Sequence, residues 1–107
     1  MHKIITSKNT SYQVADDSTE SVFFRGVEVA KHEARKFFVC FPGYFDRALM
    51  TRINQALRTF GSKSRIAGGT EFPFDGKMTV NLVHGRSGKW RSHSFEPGVH
   101  STLVLGV

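Results

Sequence analysis

MTVNLVHGRSGKWRSHSF, residues 78–95, reads as two strands around a glycine-bounded loop, and its register decides where the only tryptophan points. If Val83 pairs with Lys89 across a five-residue loop, Met78, Val80, Leu82 and Trp90 share one face. Thr79, Asn81, Val83, Lys89, Arg91 and His93 then share the other. If His84 pairs with Lys89 instead, Leu82 faces Arg91 and Val80 faces His93, which mixes apolar and charged groups on one surface. A slip of one residue exchanges every side chain between faces. The first register buries apolar surface without burying charge, so it is the expected one. It makes Trp90 a core residue and turns a basic strip outward. An exposed Trp90 would be a base-stacking platform, as aromatics on single-strand-binding sheets are.

Outward from the hairpin, the turn signals predict a C-terminal four-strand meander. Asp75-Gly76 is a type I′ signal between EFPF and KMTV, and Pro97-Gly98 suits a type II turn before a last strand, STLVLGV. Pro73 belongs on an edge or at a bulge, because it has no N–H to donate. Gly68-Gly69, in IAGGTEF, reads as a flexible turn. It lacks the following lysine and helix of a phosphate loop.

Upstream, PGYFDRALMTRINQALRTFG predicts one amphipathic helix at about 44–60. Phe45, Leu49, Ile53, Ala56, Leu57 and Phe60 form its apolar stripe. Gly43 is the expected N-cap, Asp46 falls in the first turn, and Gly61 suits the left-handed residue after the helix. Arg47, Thr51, Asn54 and Arg58 occupy the opposite face, with Arg52 and Gln55 beside it. KIIT and SYQV read as short strands about a polar turn, and ADDSTE as a loop. Residues 27–41 read as a hairpin with KHEA at its tip, although Val27, Ala30, Ala34 and Phe37 also fit a helical stripe. The expected fold class is α+β: a mainly antiparallel sheet with one helix, in a single domain spanning residues 1–107.

Composition bounds the function. The chain has 107 residues, 39% of them hydrophobic and 22% charged, which places it among globular domains. Ten phenylalanines suggest a core of bulky side chains. Neither a membrane-length apolar run nor a secretory signal is visible. The single cysteine, Cys40 in FFVCF, reads as a small core residue. A reducing, cytoplasmic compartment is expected.

The net charge of +6 is unevenly spread. Residues 1–36 are nearly neutral. Arg47, Arg52, Arg58, Lys63 and Arg65 lie between Asp46 and Glu71 with no acid among them. Lys77, Arg86, Lys89 and Arg91 lie between Asp75 and Glu96, again with none. Such a field attracts polyanions. The candidate binding residues are therefore Arg47, Arg52, Arg58, Lys63, Arg65, Arg86, Lys89 and Arg91.

Three functions are compatible with this pattern. The first is a non-catalytic accessory protein that binds DNA or RNA through the phosphate backbone. The second is a modulator, of a kind bacteriophages encode, docking a basic face on an acidic surface of a larger enzyme or assembly. The third is a metal-free ribonuclease using His84 and His93 as acid and base, with Arg91 stabilising the transition state. No metal site or cofactor is expected. His84, His93 and His100 lack the compact spacing of zinc ligands, and no nucleotide-binding or hydrolase motif occurs.

Overall fold

The computed structural model describes residues 3–7, 9–69 and 76–106. Five strands come first: β1 Lys3–Ser7, β2 Thr10–Val14, β3 Glu20–Phe24, β4 Val27–Glu33 and β5 Lys36–Phe41. Helix α1 follows at Arg47–Phe60. Then come β6 Ser64–Gly69, β7 Met78–His84, β8 Trp90–Phe95 and β9 Ser101–Gly106. The fold is α+β, with two antiparallel sheets and one helix. The sheets run β1-β2-β3-β4-β5-β9 and β6-β7-β8.

The large sheet grows by tight hairpins. Arg25 and Gly26, both at positive φ, close the β3–β4 turn, the geometry a two-residue hairpin favours. A bulge follows: Val22 faces Ala30 and Phe23 faces Glu28, which leaves Val29 extra and lets Val29 and Ala30 both be buried. Residues 27–41 form the expected hairpin, with its tip moved. Strand β4 continues through Lys31, His32 and Glu33, so the turn falls at Ala34-Arg35 rather than at KHEA.

The helix starts later than its apolar stripe suggests. Asp46 is extended (φ −142°), and its carboxylate accepts from the Leu49 N–H at 2.8 Å, so Asp46 and not Gly43 is the N-cap. Gly61 ends the helix at φ 87°. Its N–H and that of Ser62 donate to Arg58 O and Leu57 O, as a left-handed termination requires. Gly43 has a different duty: a Cβ there would meet the Gly98 backbone at 2.8 Å, and Gly98 N–H donates to Gly43 O. The Pro97-Gly98 turn forms as expected, with Val99 N–H bonded to Glu96 O and Gly98 at φ 78°.

That docked turn redirects the chain. Strand β9 does not complete a four-strand meander beside β8. It crosses to the large sheet and pairs with β5, setting Leu103 opposite Val39 and Leu105 opposite Phe37. The inward leucines thereby join the main core. A third strand of the small sheet comes from Ser64–Gly69, so Gly68-Gly69 ends a strand rather than making a turn. The lack of a side chain at Gly69 admits the Phe45 ring, which a Cβ would meet at 2.7 Å. EFPF, Pro73 and Asp75 lie outside the described residues.

The small sheet adopts the register that pattern alone disfavours. Val83 pairs with Trp90, Leu82 with Arg91 and Val80 with His93, while His84 N–H donates to Lys89 O. The loop therefore has four residues, 85–88. Gly88, at φ 67°, donates to His84 O; Ser87 N–H donates to His84 Nδ1, and Lys89 N–H donates to Ser87 Oγ. The face carrying Arg91 and His93 also carries the buried Ile66, Leu82, Met78 and Phe95. The mixture costs little because the polar ends find partners on β9. Arg91 donates to Val104 O at 3.4 Å, His93 Nε2 lies 3.1 Å from Ser101 Oγ, and the His93 ring stacks on Phe41.

One core runs through both sheets and the helix, with Phe41, Val39, Leu49, Ile53, Leu57 and Val80 all fully or nearly fully buried. Helix α1 lies against β3, β4 and β6. Asn54 closes the open edge of β6: its Nδ2 donates to Ile66 O at 2.9 Å and its Oδ1 accepts from Ile66 N–H at 2.7 Å. A residue expected on the outer polar face thus satisfies the two backbone groups of a buried strand residue. Among the described residues, no helix is long and apolar enough to cross a membrane.

Candidate nucleic-acid interface

Six of the eight predicted cations collect at one end of the molecule, and the connections are local. After Gly61 the chain passes through Lys63 into β6. Lys63 O accepts from Gly85 N–H at 2.6 Å, which ties that segment to the loop carrying Arg86. Ser64 pairs with His84, which in turn faces Lys89, and Arg65 pairs with Val83, which faces Trp90. Arg58, Lys63 and Arg65 line a groove of about 170 Å³ between helix and sheet. Lys89, Trp90 and Arg91 line a neighbouring cleft of about 410 Å³, and Ser64 borders both. All six of these cations are exposed.

Arg47 and Arg52 do not join them. Arg47 is exposed at the start of α1, about 16 Å from Arg58 at 1.5 Å per residue. Arg52 is half-buried. Its guanidinium sits 5.7 Å from the Phe24 ring centroid and donates to Gln55 Oε1 at 3.2 Å. Arg25 shares that neighbourhood, 4.6 Å from the Phe24 ring, bonded to the Tyr44 hydroxyl and 3.7 Å from Asp46. Arg52 thus serves packing more than a surface field, and Arg47 is an exposed cation outside the gathered set.

Trp90 corrects the sequence reading most. It is 67% exposed and stands on the outer face of the small sheet. Arg65, Val83 and Trp90 form one row across β6, β7 and β8 on that face. Val83 is only 8% exposed although it points away from the core, because its two cross-strand neighbours flank it. The apolar strip Trp90–Val83 thus ends in a cation on β6 and is bordered by Lys89 at the loop.

Arg25–Asp46, Lys31–Glu33 and His32–Glu20 are ion pairs among the described residues, and none of the three uses a collected cation. Sequence reading missed one neighbour. The backbone of Lys36 pairs with Gly106, and Gly106 borders the Trp90 cleft, so a residue of the charge-balanced first third lies beside that end. Glu33 faces Lys36 but is bonded to Lys31 at 3.2 Å. Only the β5–β9 pairing reveals this, and no local signal announces it.

The structure does not bring His84 and His93 together. His84 faces Lys89, and His93 lies four residues further along β8, so they are separated by about 13 Å at 3.3 Å per residue. An acid and a base acting on one phosphodiester must both reach it within hydrogen-bond distance or through one water. Burial, reinforced by the Arg91 charge, pushes the His93 imidazole below its ordinary value, which favours its neutral form. Cys40 is buried, and burial pushes its thiol up. Among the described residues, no three His, Cys, Asp or Glu side chains are grouped to hold a metal ion.

A second polar cluster lies at the edge of the core. The Tyr12 hydroxyl donates to Glu20 Oε2, while Glu20 Oε1 lies 2.9 Å from His32 Nδ1. The His32 ring stacks on Phe37 at 4.6 Å and meets Phe60 at 5.7 Å. Partial burial, then the hydrogen bond to Glu20 and its negative charge, push the Tyr12 phenol up from 10.0 to about 12. The folded state thus favours the neutral phenol. The resulting stabilisation is complete below pH 10.0 and disappears as pH rises through about 12. The tyrosinate absorbance of the protein minus that of Tyr12→Phe should show a component titrating near pH 12. A component at the unfolded value, with the protein still folded, would contradict the bonded arrangement.

Comparison with known protein families, with curated proteins and with solved structures gives no match. Function must be argued from the site itself.

Proposed function

We propose that this protein is a small, non-catalytic nucleic-acid-binding module that holds the phosphate backbone. The observation that carries the reading is that Arg58, Lys63, Arg65, Arg86, Lys89 and Arg91 are all exposed at the end of the molecule that carries the exposed Trp90, with Arg65 on the tryptophan's sheet face and Lys89 and Arg91 on the other side of β8. Exposed cations concentrated on one surface release counterions from a polyanion when it binds, which favours association. The helix end and the strands fix the backbone positions of Arg58, Arg65 and Arg91, and the Gly85–Lys63 and His84–Lys89 backbone bonds fix those of the neighbouring loop cations. That lowers the ordering cost of binding relative to a disordered basic tail. Contacts of this kind set position on a backbone and carry no sequence information themselves.

The test is a mobility-shift or filter titration with short DNA and RNA across a salt series. The protein should bind tightly at low ionic strength. The logarithm of the association constant should fall linearly with the logarithm of salt, with a slope of roughly −3 to −5 for about four to six phosphate contacts. No retention of either nucleic acid at low salt would remove this reading and leave an acidic protein surface as the partner to seek.

A further inference from the structure

We propose that Trp90 is the seat for an unpaired base, so that the protein selects single-stranded nucleic acid and tolerates its sequence. This rests on the polyanion reading above and adds which form of polyanion is held. The indole covers Val83 with part of its surface and, at 67% exposure, presents most of the rest to solvent. A duplex encloses the faces of its bases within the stack, whereas a single strand offers them. The row Arg65–Val83–Trp90 spans two strand spacings, about 10 Å, with a cation at one end and an aromatic plane at the other. A single strand crossing β6, β7 and β8 can therefore set a phosphate by Arg65 and a base on Trp90, with Arg86 at the loop tip available to its continuation.

The rest of that face argues for tolerance. The polar side chains in the next rows are occupied with one another. Ser92 Oγ donates to Asn81 Oδ1 at 2.9 Å, and the Thr79 and Ser94 hydroxyls lie 3.3 Å apart. They are not poised to read base edges, as groove-reading side chains must be. Helix α1 is poorly suited to a major groove. One face is packed against β3, β4 and β6, and Asn54 is turned to β6 and bonded to Ile66.

Because Trp90 is the only tryptophan, the intrinsic fluorescence of the whole chain reports on this one residue. The experiment titrates the protein with oligothymidylate, oligouridylate and a duplex of equal length at low salt, followed by fluorescence and by anisotropy of the labelled oligomer. The expected result is quenching by the single strands but not by the duplex. Trp90→Ala should lose roughly tenfold or more of single-strand affinity with little change for the duplex, and Trp90→Phe should retain most of it.

If Trp90→Ala weakens single strand and duplex equally, or neither, the stacking seat is refuted while salt-dependent binding keeps the backbone reading intact. If no oligomer binds at low salt, both fall. Should Trp90→Ala misfold by circular dichroism, Trp90→Phe affinity and wild-type quenching decide, and absence of quenching by a bound single strand overturns the proposal.

Discussion

Replacing Arg58, Lys63 and Arg65 together by alanine should lower nucleic-acid affinity by about two to three orders of magnitude at 0.1 M salt and reduce the salt slope by about two to three. The size follows from counterion release. Each neutralised phosphate contributes about 0.7 to 0.9 of a logarithmic unit per tenfold dilution of salt from 1 M, where the effect has nearly vanished. These three side chains line one groove and are exposed, so the variant loses field rather than core. Arg47→Ala is the matched control for Arg65→Ala alone. Arg65→Ala should lower affinity by about five- to eightfold, one contact's share, and Arg47→Ala, outside the gathered set, by less than about twofold. Equal losses from these two single variants would mean that net charge alone governs binding and that the arrangement is irrelevant.

The other large effect concerns the seam between the sheets. Phe41→Ala should cost about 3–5 kcal/mol, a large fraction of the total stability of a domain this size. Phe41 has 0% exposure at the end of β5. Its ring lies 5.4 Å from Phe95 and 5.3 Å from His93, both on β8, so one side chain from the large sheet fills the space against the small one. At about 4 °C per kcal/mol, the melting temperature should fall by at least about 12 °C. The effect reaches the binding end, because His93 and Arg91 dock on β9 from the same strand that begins with Trp90. A loss under about 1 kcal/mol would mean the sheets do not share this core.

These two expectations draw on different depths of the sequence. The helix stripe from Leu49 to Phe60, the Gly61 stop and the Pro97-Gly98 turn were legible because each is a local signal with a local cause. The basic windows were legible too, and folding joins the end of one to the loop and strand of the other. The side on which Trp90 lies was not legible. Pattern reasoning assumed that charged groups on a core-facing surface would be unsatisfied, but Arg91 and His93 reach partners on β9, whose position depends on a crossover set by a docked turn. In the same way Arg52 was read as a surface cation, although a phenylalanine far away in sequence draws it down. The pairing of Lys36 with Gly106 belongs to the same non-local register that took β9 out of the meander.

The central claim is that one end of the molecule, around Trp90, is where a polyanion sits. Mapping backbone amide and tryptophan indole resonances during titration with a short single strand tests it most directly. Shifts should concentrate at Trp90, at residues 84–91 and along residues 58–65, leaving Arg47, Arg25 and the outer face of the large sheet unmoved. Shifts centred on Arg25, Arg47 and Arg52 with Trp90 silent would contradict it.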